Sequence, residues 1–260
     1  ANFFPAPGPV ATFKPGEGPG VRWEIGLDTV DEITGNFDPM IAKLITTGEN
    51  RKAALQRMTS ALRSTFFAGP EANIAFLAKI CSDSPFCEGP IATSFLNNHL
   101  EGVLDSINKN KSDLSEEAEG LLELLTTGAL FRQSSLNSSV DIPTVTARAF
   151  SAQGTLPASE SAKGVSAWKI QSQRTDVGPD GNEGKSGLVS KILPNGKRRS
   201  FCYAGIHTGN DRHFWVGQDG FVWHKTISRS SSAGSDSGGE LSDELVASVP
   251  GKVTVVKIAE

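Results

Sequence analysis

Three histidines, His207, His213 and His224, fall within one short stretch of the chain. Imidazole is the side chain best suited to binding a borderline metal or moving a proton near neutral pH. Their spacing fits no standard zinc pattern, and no acidic or thiol ligand recurs beside them. In RHFWV (Arg212 to Val216) a period of two puts His213 and Trp215 on one strand face, which suits a barrel surface as easily as a site. Glu116, Glu117, Glu119 and Glu123 could do acid–base or metal chemistry. They crowd the start of a helical pattern, however, where the dipole favours negative charge, and read as a solvated face. Cys81, Cys87 and Cys202 are too few and too scattered for a disulfide framework, and read as reduced thiols. Gly16 to Gly20 (GEGPG) lacks the Lys-Ser/Thr or GxGxxG context of a phosphate cradle, and reads as a tight turn. Lys197-Arg198-Arg199, after Asn195-Gly196, reads as a solvated hairpin end. Residue chemistry alone therefore assigns no catalytic, cofactor-binding or metal-binding set.

The bulk numbers agree. The chain has 260 residues and a net charge of -4, with a pI near 5.7, which argues against a nucleic-acid-binding surface. No apolar run approaches the roughly 20 residues that span a bilayer. The start, ANFFPAPGP, has neither the charged nor the apolar region of a signal peptide and no initiator Met, so the chain is expected to begin inside a longer protein.

Several elements must position these residues. Val10 to Phe13 reads as a strand end, and Val21 to Leu27 as a strand with Arg22 and Glu24 on one face, Trp23 and Ile25 on the other. Asn36 to Pro39 is a turn in which Asp38 can accept backbone hydrogen bonds. Met40 to Ile45 is apolar and short, either strand or buried helix. Asn50 is an N-cap for a helix from Arg51 whose stripe is Leu55, Met58 and Leu62. Gly69-Pro70 is read as opening a second helix that buries Ile74, Leu77 and Ile80. Thr93 is read as capping a third helix, Thr93 to Leu100, with His99 on its surface. Glu101 to Ser112 turns polar and is read as a domain boundary. Asp113 to Arg132 is then an amphipathic helix capped by Ser115, with Leu121, Leu122, Leu125 and Leu130 buried. Six strand-like runs follow: Thr144 to Phe150, Ser166 to Gln173, Gly187 to Leu193, Arg199 to Gly205, Arg212 to Gly217 and Gly220 to Ile227. Asn195-Gly196 and Asp219-Gly220 mark hairpin turns, and the set implies an antiparallel barrel or sandwich with the helix inside or across it. Ser228 to Glu240 is a Ser/Gly linker.

Five motifs in order, APGPV, GVRWE, FDPMIAKLI, GENR and NIAFLAKI, make Phe3 to Leu100 resemble the C-terminal subdomain of biotin carboxylase. One departure is GPEAN, where Ala72 replaces the hydroxyl of a Gly-x-x-Thr-Asn pattern. The resemblance places Arg22 at a homodimer contact and Asp38 near it, linking that contact to the active-site edge, and neither residue does the chemistry. Near the other end, VPGKVTVVKIAE resembles the opening strands of a biotinyl carrier domain, and the sequence ends before that family's Met-Lys-Met hairpin.

The layout between these two parts is similar to the α subunits of propionyl-CoA and 3-methylcrotonyl-CoA carboxylases. The implied fold class is α+β, in four parts. Residues 1–104 are the biotin carboxylase C-terminal subdomain, of antiparallel strands with helices. Residues 113–228 are a helix plus antiparallel β-barrel that docks subunits, 229–243 a linker, and 244–260 the start of a biotinyl carrier domain. The whole enzyme so implied uses ATP, Mg2+ and bicarbonate to carboxylate biotin, then passes the carboxyl group to an acyl-CoA. Its implied partners are a carboxyltransferase β subunit, the enzyme's own N-terminal and ATP-grasp domains and the biotinyl carrier domain, with no nucleic acid and no membrane. The implied compartment is the cytoplasm, or the mitochondrial matrix in a eukaryote. The chain made alone, without the ATP-grasp core and biotinyl lysine, is expected to be inactive. The competing reading is a non-enzymatic β-barrel interaction module beside a relic carboxylase subdomain.

Overall fold

The computed structural model describes residues 6–27, 31–35, 40–128, 168–177, 183–193 and 195–228. Five short strands come first: β1 (Gly8–Val10), β2 (Thr12–Lys14), β3 (Val21–Ile25), β4 (Asp31–Ile33) and β5 (Ala42–Thr46). The single strand read at Val10 to Phe13 is two strands. The chain breaks pairing at Ala11, so β1 pairs with β4 and β2 with β6 (Phe66–Ala68), all antiparallel. MIAKLI resolves as strand: β5 runs antiparallel to β3, with Trp23 opposite Leu44 and Arg22 opposite Ile45.

Helix α1 (Arg51–Ser64) starts where its cap predicts, with the Asn50 side chain accepting from the Ala53 amide at 2.9 Å. Its C-terminal Ala61 and Leu62 are buried, and Leu62 enters a core with Val10, Phe67, Ile74 and Ala78. The second helix, α2 (Ile74–Cys81), begins after Asn73 and not at Pro70. Starting there, it buries Ile74, Ala78 and Ile80 and leaves Leu77 exposed, which corrects the expected stripe. A short α3 (Ser84–Glu88) precedes α4.

Helix α4 (Phe95–Thr126) is one rod of 32 residues, about 48 Å long at 1.5 Å per residue. The polar stretch Glu101 to Ser112 is therefore its middle, and neither a cap at Thr93, a stop at Leu100 nor a start at Asp113 is observed. Ser115 lies inside the helix, its hydroxyl donating to the Lys111 carbonyl. The Glu101 to Ser112 stretch is not wholly solvated, since Val103 within it is buried, and Leu114, Ala118, Leu121, Leu122 and Leu125 are buried on the second half.

The second half of α4 lies on a five-stranded antiparallel meander of β7 (Lys169–Val177), β8 (Glu183–Ile192), β9 (Arg198–Thr208), β10 (Asp211–Gln218) and β11 (Phe221–Ser228). Both predicted hairpins form. Asp219 and Gly220 sit at φ 54° and 79° in a two-residue turn between the paired Gln218 and Phe221. Gly196 at φ 76° donates its amide to the Leu193 carbonyl. The strand read at Thr144 to Phe150, the helix end at Leu130, the linker and the carrier-like segment lie outside the described residues.

This sheet is covered on both faces. Val189, Phe201, Tyr203, Phe214, Val216 and Trp223 meet the α4 leucines. The alternate residues Ala204, Ile206 and Trp215 meet Ala11, Phe66 and Ala68 of the N-terminal half. Leu121 is fully buried at the centre of the first layer. Leu121→Ala is expected to lower unfolding free energy by about 2–5 kcal/mol, read by urea titration. A loss below about 1 kcal/mol would show that α4 and the sheet do not share a core.

Candidate functional site

Arg22 lies on β3 and is solvent-exposed, its Nη1 2.7 Å from Glu24 Oε1 on the same strand face. Period-two alternation accounts for the pairing, since residues two apart on a strand stand side by side. On the other face Trp23 donates its indole N–H to the Gly16 carbonyl at 2.9 Å and meets Phe13 edge-on, ring centroids 5.6 Å apart. Gly20, at φ 70°, lets its carbonyl reach the Thr47 amide at 2.9 Å. A Cβ there would stand 2.8 Å from the Thr47 carbonyl and 2.9 Å from Arg57 Nη1. The GEGPG segment is thus a turn locked against β5 and α1, and Arg57 ties it down through the Thr47 carbonyl at 2.6 Å. Asp38 lies outside the described residues.

The histidines divide. His213 and His224 are brought together across β10 and β11, with His213 Nδ1 3.3 Å from His224 Nε2. Thr226 Oγ1 lies 3.0 Å from the first nitrogen and 3.3 Å from the second. His224 stacks on Trp215, ring centroids 4.6 Å apart. Burial pushes His213 down from its ordinary value, against a pull upward from Asp211. Burial and the neighbouring His213 push His224 down. The pair is therefore neutral at neutral pH, and its contribution to stability drains as pH falls below the ordinary 6.5. His207 is exposed on β9 opposite Arg212, on the other face of the sheet from His213. Among the described residues no three His, Cys, Asp or Glu side chains converge to hold a metal. Two imidazoles and a hydroxyl fall short of a four-ligand zinc site.

Of the four glutamates, Glu116, Glu119 and Glu123 are exposed, as expected for a solvated face. Glu117 is not. It sits half-buried between α4 and the sheet, Oε1 2.9 Å from Lys191 Nζ and Oε2 2.9 Å from Arg199 Nη1. The Arg199 contact lacks the alignment of a hydrogen bond and acts as charge pairing. Burial pushes the Glu117 carboxyl up, but Lys191 and Arg199 outweigh it and hold the group below its ordinary value. A helical-wheel count would have found this, because Glu117 lies beside the buried Leu114, Ala118 and Leu121.

Residues 1–98 match the family model of the biotin carboxylase C-terminal domain. The chain is similar to the mitochondrial methylcrotonoyl-CoA carboxylase subunit alpha of Oryza sativa subsp. japonica, 31% identical over 142 residues, 54% of this chain and 19% of that protein. It is similar to the mitochondrial propionyl-CoA carboxylase alpha chain of Sus scrofa, 45% identical over 80 residues, 31% of this chain and 11% of that one. It is also similar to the biotin carboxylase of Halalkalibacterium halodurans, 36% identical over 100 residues, 38% and 22% of the two chains. Among solved structures, the biotin carboxylase domain of Hydrogenobacter thermophilus 2-oxoglutarate carboxylase is 32% identical. That match covers 39% of this chain and 22% of that one, with a TM-score of 0.37. The chain spans about a fifth of the length of the first of these curated relatives.

Glu117→Gln leaves Lys191 and Arg199 without their carboxylate. It is expected to lower unfolding free energy by about 1–3 kcal/mol near neutral pH. The folded-state pKa is lowered, so this stability is present above the ordinary 4.5 and lost as pH falls through the folded value. Urea titrations of both proteins across that range should therefore converge in acid. A deficit that persists unchanged there would mean the loss is packing and not charge.

Proposed function

We propose, on the premise that residues 1–98 are a biotin carboxylase C-terminal domain, that this chain is a piece of the α subunit of a biotin-dependent acyl-CoA carboxylase. The observation that carries the reading is the length of one match. The similarity to the methylcrotonoyl-CoA carboxylase subunit alpha covers 142 residues, which cannot fit within the 98 of the family domain and must run past it. The biotin carboxylase of Halalkalibacterium halodurans is matched over 100 residues and the propionyl-CoA carboxylase alpha chain over 80.

In this reading residues 1–104 back the biotin carboxylase active site. Arg22, exposed on β3, serves a contact between biotin carboxylase copies, and Asp38 joins that contact to the active-site edge. The second half of α4 and the meander form the 113–228 docking domain, whose sheet closes as a β-barrel around the helix and seats the carboxyltransferase β subunit. Support for that comes from the row of leucines on α4 buried against the sheet. Residues 229–243 link it to a biotinyl carrier domain beginning at 244–260. ATP, Mg2+ and bicarbonate chemistry falls to other parts of the whole enzyme. The described residues offer no converging metal-ligand set for Mg2+, and we derive no step of that chemistry from them. No helix among the described residues is long and apolar enough to cross a membrane, in keeping with a cytoplasmic or matrix enzyme.

The test is a streptavidin blot of source-cell lysate, with mass analysis of every band that yields peptides of this sequence. The expected result is a biotinylated polypeptide much heavier than 27.5 kDa that co-purifies with a carboxyltransferase subunit. A native, unbiotinylated polypeptide of 27.5 kDa would overturn it in favour of a non-enzymatic interaction module.

A further inference from the structure

Away from the β3–β5 ribbon, the end of α1, the β8–β9 hairpin and the β10–β11 turn enclose a cleft of about 410 Å³. Its walls carry Arg63, Lys197, Arg198 and Arg199 against a single acid, Asp219. That is a local excess of positive charge on a chain whose net charge is -4. Arg199 is engaged with Glu117. Among the described residues no carboxylate pairs with Arg63, Lys197 or Arg198.

The ordinary use of a cation at the end of a helix is to satisfy the last carbonyls. At the end of α1 the Ala61 and Leu62 carbonyls are already answered by other groups. Ser64 Oγ donates to the Ser60 and Ala61 carbonyls, Thr65 Oγ1 to the Ala61 carbonyl, and the Thr65 amide to the Leu62 carbonyl. Arg63 is thereby left to the cleft. The wall also holds Gln218, whose side-chain oxygen is buried and has no hydrogen-bond partner among the described residues. A buried acceptor left unpaired is costly to the fold, a cost that a ligand with an N–H or O–H donor would recover.

We propose that this cleft binds a phosphate-bearing small molecule. Arg63, Lys197 and Arg198 hold its phosphate oxygens, and Gln218 accepts a hydrogen bond from the rest of it. Three cations without partners suit an anion of two or more charges better than one carboxylate. The volume falls in the range of small-molecule sites, about 300–1,000 Å³, and is too small for a folded partner. The proposal does not depend on the carboxylase reading, because none of the residues it uses lies among that reading's site residues.

The test uses the 260-residue chain with inorganic pyrophosphate as probe, titrated calorimetrically at low salt, beside a tri-glutamate peptide. The variant K197A/R198A removes two exposed cations from the cleft, and K43A/K52A removes two exposed cations outside it. Circular dichroism and Tm confirm that both stay folded. Expected are saturable binding of one pyrophosphate, at least tenfold weakening in K197A/R198A, and less than twofold change in K43A/K52A. Absence of saturable binding, equal weakening in both variants, or tighter binding of the peptide than of pyrophosphate would each overturn it.

Discussion

The structure depends on one sheet burying both of its faces, and Trp215 is where that constraint is sharpest. Its strand reads Phe214-Trp215-Val216-Gly217 with every residue buried, although alternation sends successive side chains to opposite sides. Phe214 and Val216 go to the α4 layer, while Trp215 goes to Phe66 and Ala68 of the N-terminal half. The indole N–H meets the Gly69 carbonyl at 2.9 Å, far along the chain from it. Gly217 completes the fit, since a Cβ there would stand 2.5 Å from the Phe66 ring. A buried indole of this size is worth on the order of 4–6 kcal/mol at about 25 cal/mol per Å². That is a large share of the stability of any domain. Ala204 and Ile206 share that layer with Trp215.

The continuity of α4 has the same origin. In a protein most of a helix's stability comes from packing, and here the second half of the rod belongs to the sheet core. Val103 lies on the first half of the rod, which contacts α2, and the leucines of the second half lie under the meander. Glu117 then adds direction to an otherwise non-directional contact. Hydrophobic burial alone would let a leucine stripe rotate or slide on a sheet. A carboxylate placed between Lys191 and Arg199 ties one turn of the helix to β8 and β9.

Local structure was legible wherever the signal was local. Asn50 as a cap, Asp219-Gly220 as a two-residue turn, GEGPG as a turn and Val21 to Leu27 as a strand all depend on a few adjacent residues, and all are found, the strand over Val21–Ile25. The biotin carboxylase words were legible for the same reason, being contiguous. What failed was what tertiary contact decides. Glu101 to Ser112 looks like a boundary because its polarity breaks the apolar stripe, yet packing at both ends keeps it helical. Pro70 looks like a helix start because its ring presets φ, yet the helix waits for Ile74, whose side chain faces the core. Glu117 and its neighbours are identical in type. Only the position of the sheet separates the half-buried one from the three in solvent. His213 and His224 were legible as a candidate pair only once β10 and β11 were in register, Trp215 opposite His224.

The polar chemistry of the described residues then sorts by one criterion, whether a charged group is neutralised by the chain itself. Arg22 is answered by Glu24 on its own strand. Glu117 is answered across an interface by Lys191 and Arg199. His213 and His224 stay uncharged and share hydrogen-bond contacts with each other and with Thr226. Groups answered in this way hold the fold and are poor candidates for taking up a substrate, because binding would first have to break the internal pair. An exposed pair such as Arg22 and Glu24 is the exception. Its internal worth is at most about 1 kcal/mol, so Arg22 can exchange Glu24 for a carboxylate on another surface at little cost. An interface contact is therefore compatible with the geometry of Arg22.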